Sequence, residues 1–101
     1  MENADILIAE DSEDTAILIK FSLEKMGHKV THVYDGEEAL KVIEKKIPDL
    51  LITDLLMPGM NGHELMDELK KRKIQIKTIV LAVQKSDEDI LRSLGHGAMD
   101  F

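Results

Sequence analysis

The spacing of hydrophobic positions changes repeatedly along the chain, each time in the order expected of a strand followed by a helix. Residues 6–9 form a short apolar run, and Ile17, Leu18 and Phe21 then recur at helical spacing before Gly27. Later apolar or alternating runs, each followed by apolar residues at helical spacing, lie at 29–33, 50–53 and 78–83. The pattern therefore predicts strand–helix units in succession, which is typical of an α/β protein.

Such units predict a parallel sheet with helices on both faces, because their crossovers are right-handed. Three of the runs are almost continuously apolar, as expected of strands buried on both faces, whereas residues 29–33 alternate and fit an edge. This favours a doubly wound sheet with the strand order 2-1-3-4-5.

The fifth strand of that order begins within residues 97–101, and the sequence ends there. We therefore expect one domain over residues 1–101, truncated at the start of the fifth strand and lacking the fifth helix. That helix would pack beside the first one, so its loss is expected to expose apolar surface and to favour self-association, for example as a homodimer.

Composition limits the chemistry that the chain can support. The sequence has no Cys, which excludes disulfides, thiol catalysis and zinc ribbons and leaves oxygen ligands and four His for metal binding. A formal net charge of -7, with one Tyr, two Phe and no Trp, disfavours direct nucleic-acid binding. The acidic N-terminus and the lack of a long apolar stretch predict a soluble, cytoplasmic protein without membrane attachment.

Three acidic residues follow neighbouring strands of the predicted sheet. Glu10 and Asp11 end the first strand, and Asp54 ends the third. In an open parallel sheet, functional groups gather at the carboxyl ends of the strands where the strand order reverses, so these side chains should converge. Three negative charges brought this close together repel each other unless a cation binds between them or one carboxyl group keeps its proton. Oxygen ligands predict Mg²⁺ or Mn²⁺, with Asp54 as a nucleophile toward a phosphoryl group.

Helix capping is the alternative explanation for some of these residues. Asp11, Ser12 and Asp14 precede the first helix, where capping alone could account for their side chains. Asp54 is not explained in this way, because no helix can start before Pro58 or Gly62. The combination favours a functional site over a set of caps.

Over its whole length, the sequence resembles the receiver domain of two-component response regulators, which has a flavodoxin-like fold. The resemblance is carried by the acidic pair Glu10-Asp11, by residues 54–62 and by residues 97–101. The middle segment is specific, because an Asp is followed by Met-Pro and by a Gly eight residues on.

The resemblance implies a role for each matching residue. Asp54 would be the phosphoacceptor and a metal ligand, Asp11 a direct ligand, Glu10 a ligand largely through water, and Leu56 a ligand through its backbone carbonyl. The turn after the third strand would be fixed by Pro58 and Gly59, while Gly62 would let the third helix start close to the backbone.

The resemblance also implies the partners. The phosphoryl group would come from a phosphohistidine on a sensor histidine kinase or phosphotransfer protein, or from a small phosphodonor. Phosphorylation would switch contacts with a downstream effector domain or protein. The chain would assist its own phosphorylation and dephosphorylation, and would not be an enzyme in the usual sense.

Two departures from the family pattern weaken the expected switch. Ala82 stands where the family has Thr or Ser, and its methyl group cannot hydrogen-bond a phosphoryl oxygen. Phe101 matches the aromatic switch position, but the family's Lys three residues further on has no counterpart in the sequence. The alternative is a pseudo-receiver that binds proteins independently of phosphorylation. A metal-dependent hydrolase is less favoured, because Leu56 occupies the position of a general acid.

Overall fold

Parallel strands and helices alternate along residues 3–81, the part of the chain that the computed structural model describes. In chain order the elements are β1 (Asp5–Ala9), α1 (Glu13–Lys25), β2 (Lys29–Val33), α2 (Gly36–Lys45), β3 (Leu50–Asp54), α3 (Gly62–Lys71) and β4 (Lys77–Leu81). The predictions for Ala82, the fourth helix, the fifth strand and Phe101 lie outside the described residues. None of the helices within residues 3–81 has the length and hydropathy of a membrane span.

The sheet has the order β2-β1-β3-β4, and each neighbouring pair is parallel. This confirms the predicted doubly wound arrangement for the described strands, with β2 at an edge. Ala9 at the end of β1 is in register with Val33 of β2 and Thr53 of β3. The carboxyl ends of these strands consequently meet at one edge of the sheet, where the sequence predicts the acidic site.

The core forms on both faces of the sheet because alternate residues of each strand point to opposite sides. Leu7 and Ala9 pack with α2 and α3, whereas Ile6 and Ile8 pack on the side of α1. The first of these clusters contains Leu7, Ala9, Val33, Ala39, Leu40, Ile43, Leu51, Met57, Leu65 and Leu69. Burial on both faces explains why β1 and β3 have continuous apolar sequences.

Polar side chains set the start of each helix. Ser12 accepts a hydrogen bond from the Thr15 amide at 3.5 Å and caps α1, and Asp35 accepts one from the Glu38 amide at 2.9 Å and caps α2. Asn61 forms a capping box with Glu64 at the start of α3. Because Ser12 is the cap of α1, capping does not account for Asp11.

The apolar residues that predict α1 are not the ones that hold it on the sheet. Ile17, Leu18 and Phe21 are 53%, 70% and 66% exposed, whereas Ala16 is buried. Ile19 and Leu23 pack against the cluster that contains Ile6 and Ile8. The helix is confirmed, and these three side chains give α1 an exposed apolar surface.

Candidate functional site

The carboxyl ends of β1 and β3 bring the predicted acidic residues together. Glu10 and Asp11 directly follow β1, and Asp54 is the last residue of β3. One carboxylate oxygen from each of these residues lies within 4.8 Å of the others. The predicted convergence is therefore confirmed by the structure.

Glu10 is the buried member of this cluster, at 5% exposure. Its Oε2 atom is buried and has no hydrogen-bond partner among the described residues. Burial, followed by the nearby Asp54 and Asp11 side chains, raises the pKa of Glu10 from 4.5 to about 7, against a smaller opposing effect of the Ser12 backbone. The cluster therefore retains a proton near neutral pH unless a cation replaces it.

The donor set fits a hard cation. It consists of carboxylate oxygens, and Glu10 contributes a buried oxygen that lacks a hydrogen-bond partner in the described part of the chain. Mg²⁺ and Mn²⁺ prefer such ligands and keep several waters, which leaves positions open for a phosphoryl group. The observed geometry thus supports a divalent cation site at the end of the sheet.

Leu56 lies beside this cluster with its side chain 54% exposed. Its amide donates a hydrogen bond of 3.4 Å to Asp54 Oδ1. This contact places the Leu56 backbone next to the phosphoacceptor candidate. Its role as a ligand through the carbonyl stays a prediction.

The loop between β3 and α3 folds back tightly against the end of β3. The Gly62 amide donates a hydrogen bond to the Leu55 carbonyl at 3.0 Å. A Cβ at position 62 would lie 2.9 Å from the Leu55 Cα and 3.0 Å from the Asp54 carbonyl carbon. Gly59 has φ of +67°, in the left-handed region that favours glycine. The backbone therefore leaves no room for a Cβ at position 62 and has a left-handed conformation at position 59.

Two contacts around the site are not predicted by the sequence. The Gly36 amide donates to the Met60 carbonyl at 2.8 Å, which joins the start of α2 to the loop before α3. His32 of β2 has its Nε2 atom 2.8 Å from the Glu10 backbone carbonyl. The alternation along β2 places His32 on the same strand face as Val30. No sequence signal indicates that its ring contacts the backbone of Glu10, the residue that follows β1.

A search against protein families matches residues 6–101 to the model described as response regulator receiver domain. Among curated proteins, the alkaline phosphatase synthesis transcriptional regulatory protein PhoP of Bacillus subtilis is 33% identical over 99 residues. The match covers 98% of this chain and 41% of PhoP. Response regulator SaeR of Staphylococcus aureus is 31% identical, with 95% and 42% covered. The chain thus spans about two fifths of the length of these relatives.

Solved structures give the same result. The receiver domain of the Francisella response regulator 1452 superposes with a TM-score of 0.89 at 33% identity, covering 97% of this chain and 81% of that one. A receiver domain of a signal transduction histidine kinase from Syntrophus aciditrophicus has a TM-score of 0.84 at 40% identity, with 97% and 76% covered. The receiver domain of Klebsiella pneumoniae RstA, solved in a BeF3-activated form, has a TM-score of 0.85 at 32% identity, with 94% and 80% covered.

Proposed function

The chain belongs to the response regulator receiver domain family, and from this premise we propose that Asp54 accepts a phosphoryl group in a reaction that requires Mg²⁺ or Mn²⁺. The observation that carries the proposal is the convergence of three carboxylates within 4.8 Å, where a buried oxygen of Glu10 has no hydrogen-bond partner within residues 3–81. Such an arrangement is costly unless a cation binds there or a carboxyl group keeps its proton. A binding module that acts without phosphate chemistry would not require three carboxylates in this arrangement.

The residues divide the work between them. Glu10, Asp11 and Asp54, with the Leu56 carbonyl, would hold the cation. When bound, the cation would neutralise negative charge on the phosphoryl group. An Asp54 carboxylate oxygen attacks the phosphorus of a phosphohistidine, the P–N bond breaks, and the imidazole leaves with the electron pair. A small acyl phosphate reacts in the same way, with its carboxylate as the leaving group.

The partners follow from this chemistry. The donor would be a sensor histidine kinase or a phosphotransfer protein, and the phosphorylated form would act on a downstream effector domain or protein. The chain would assist its own phosphorylation and dephosphorylation without turning over a separate substrate. The similar proteins include transcriptional regulators and a receiver from a histidine kinase, so both kinds of output fit the proposal.

The test is incubation of the protein with acetyl phosphate and Mg²⁺, followed by intact-mass measurement. We expect one added phosphoryl group in the natural chain. EDTA should abolish the adduct, because the carboxylate cluster then repels the donor. Asp54→Asn should show no adduct with Mg²⁺ present, while Asp35→Asn, which alters the N-cap of α2 and none of the three clustered carboxylates, should still be phosphorylated.

A folded natural chain without an adduct would contradict the proposal, as would an Asp54→Asn variant that is phosphorylated equally. Beryllofluoride provides a second reagent, since the similar RstA receiver domain has been solved in a BeF3-activated form. We expect it to change the amide NMR spectrum only in the presence of Mg²⁺ and an intact Asp54. Identical spectra with and without the reagent would count against Asp54 as the acceptor.

A further inference from the structure

His32 makes a contact that reaches from the edge strand to the acidic cluster. It lies on β2 opposite Ile8 of β1 and is partly buried. Its Nε2 atom is 2.8 Å from the backbone carbonyl oxygen of Glu10. Because a carbonyl only accepts, Nε2 carries the proton and donates this hydrogen bond.

The backbone of Glu10 is therefore tied to β2 on both sides of its Cα. The Glu10 amide donates to the Val33 carbonyl at 3.0 Å, and the Glu10 carbonyl accepts from His32. The carbonyl belongs to the peptide that joins Glu10 to Asp11. Its orientation consequently fixes the direction in which the Asp11 residue leaves the strand.

The His32 ring is itself held in place by its neighbours. Its centroid lies 4.4 Å from that of the Tyr34 ring, at an interplanar angle of 49°. The Tyr34 amide donates to Glu38 Oε1 at 2.8 Å, which anchors Tyr34 to the first turn of α2. A ring placed in this way presents its donor with little freedom to turn.

We propose that His32 is a positioning residue for the cation site, because it holds the Glu10–Asp11 peptide so that both carboxylates meet Asp54. The proposal rests on the proposed function of the cluster. Without the donor, the peptide is free to rotate, and cation binding must then order it at a cost in affinity. Loss of an outer hydrogen bond that orients metal ligands typically weakens affinity by about 10–100-fold.

The test compares His32→Leu, which removes the donor, with His32→Gln, whose amide reaches about as far as Nε2. Mg²⁺ affinity is measured by calorimetric titration, and hydrogen exchange of the Asp11 amide is measured by NMR in Mg²⁺-free protein. We expect about tenfold weaker binding and faster exchange in His32→Leu. His32→Gln should restore both towards the values of the natural chain. If His32→Leu does not fold, His32→Asn replaces it, since its amide is too short to reach Glu10.

Each outcome bears on a definite hypothesis. Unchanged Mg²⁺ affinity in a folded donor-free variant overturns the role of His32 and leaves the proposed function intact. Equal losses in His32→Leu and His32→Gln also overturn it, because the donor is then not what matters. A natural chain that binds no Mg²⁺ and is not phosphorylated overturns both proposals together.

Discussion

At the scale of single residues, Gly62 decides how closely α3 approaches the phosphoacceptor candidate. Any larger residue would place its Cβ against the backbone of Asp54 and Leu55, and the closest contact would be with the Asp54 carbonyl oxygen. Backbone atoms cannot move aside as a flexible side chain does. A change at this position therefore displaces either α3 or the end of β3.

Gly62→Ala is expected to lower the free energy of unfolding by about 1–3 kcal/mol, because it overpacks a site bounded by backbone. It should also slow phosphorylation of Asp54 by acetyl phosphate, since the same shift moves the acceptor. Denaturant unfolding and intact-mass time courses measure the two effects.

Gly59→Ala is the control for this substitution. At Gly59 there is space for a methyl group, and the nearest atom, Glu37 Oε1, is 3.9 Å away. Its cost comes from the positive φ alone and should be about 1–2 kcal/mol. A Gly62→Ala variant with the stability of the natural chain would show that the close approach of α3 is not required.

At the scale of elements, α1 separates the residues that make a helix from those that attach it. The exposed residues Ile17, Leu18 and Phe21 lie in the same helix as Leu23, which packs on the sheet. The buried Ala16 packs in one cluster with Val30 of β2, the strand that α1 contacts most. The stability of this face therefore depends on a few small or medium-sized contacts.

Leu18 and Leu23 allow a matched comparison, because the same substitution is made twice in one helix. Leu23→Ala should lower the free energy of unfolding by about 1–3 kcal/mol through lost burial. Leu18→Ala should change it by no more than about 0.5 kcal/mol, since that side chain is 70% exposed. Denaturant unfolding of the two variants measures the difference in their free energies of unfolding. Equal costs for both substitutions would mean that Leu18 is covered in the folded protein.

At the scale of the whole molecule, charge is distributed unevenly between the two ends of the sheet. The first helical turns, at the end that carries the site, hold Glu13, Asp14, Glu37, Glu38 and Glu64, whereas the last turns hold Lys25, Lys45, Lys70 and Lys71. Acidic side chains in the first turn and basic side chains in the last turn both interact favourably with the helix dipole. They also surround the acidic cluster with more negative charge, so a cation is attracted and an anionic donor is repelled.

The stability of the protein should therefore depend on pH and Mg²⁺ together. The folded state raises the pKa of Glu10 to about 7 from 4.5, so it holds a proton that the unfolded chain has already released. The contribution of this proton to the free energy of unfolding is fully present below pH 4.5 and is lost as the pH rises through 7. Without metal, stability should fall between pH 5 and pH 8 relative to Glu10→Gln, in which position 10 does not titrate.

Mg²⁺ should reverse that loss at pH 8, because it replaces the proton among the carboxylates. At a concentration about 100 times its Kd, the expected gain is about 2.7 kcal/mol. The gain should be smaller at pH 5, where the proton competes. Urea unfolding at both pH values, in EDTA and in Mg²⁺, measures these effects. A pH dependence identical in the natural chain and Glu10→Gln would contradict the assigned role of Glu10.

Much of the fold and of the acidic cluster could be predicted from local patterns. The change between periods of two and 3.6 identified the elements from β1 to β4, and the positions of Glu10, Asp11 and Asp54 at strand ends predicted their convergence. These features depend on backbone geometry that every parallel sheet shares. The contact between His32 and Glu10 could not be predicted, because it depends on how far one side chain of β2 reaches towards the end of the neighbouring strand β1.

The sequence by itself determined the order of the elements, the doubly wound sheet and the identity of the acidic residues, because periodicity and strand ends are local properties. Only the tertiary structure decided that Glu10 is buried with an oxygen that has no partner among the described residues, that α1 packs through Ala16, and that the His32 ring contacts the Glu10 carbonyl. Burial and side-chain contacts arise when distant segments pack together, and the free energy of each depends on neighbours that local sequence does not specify.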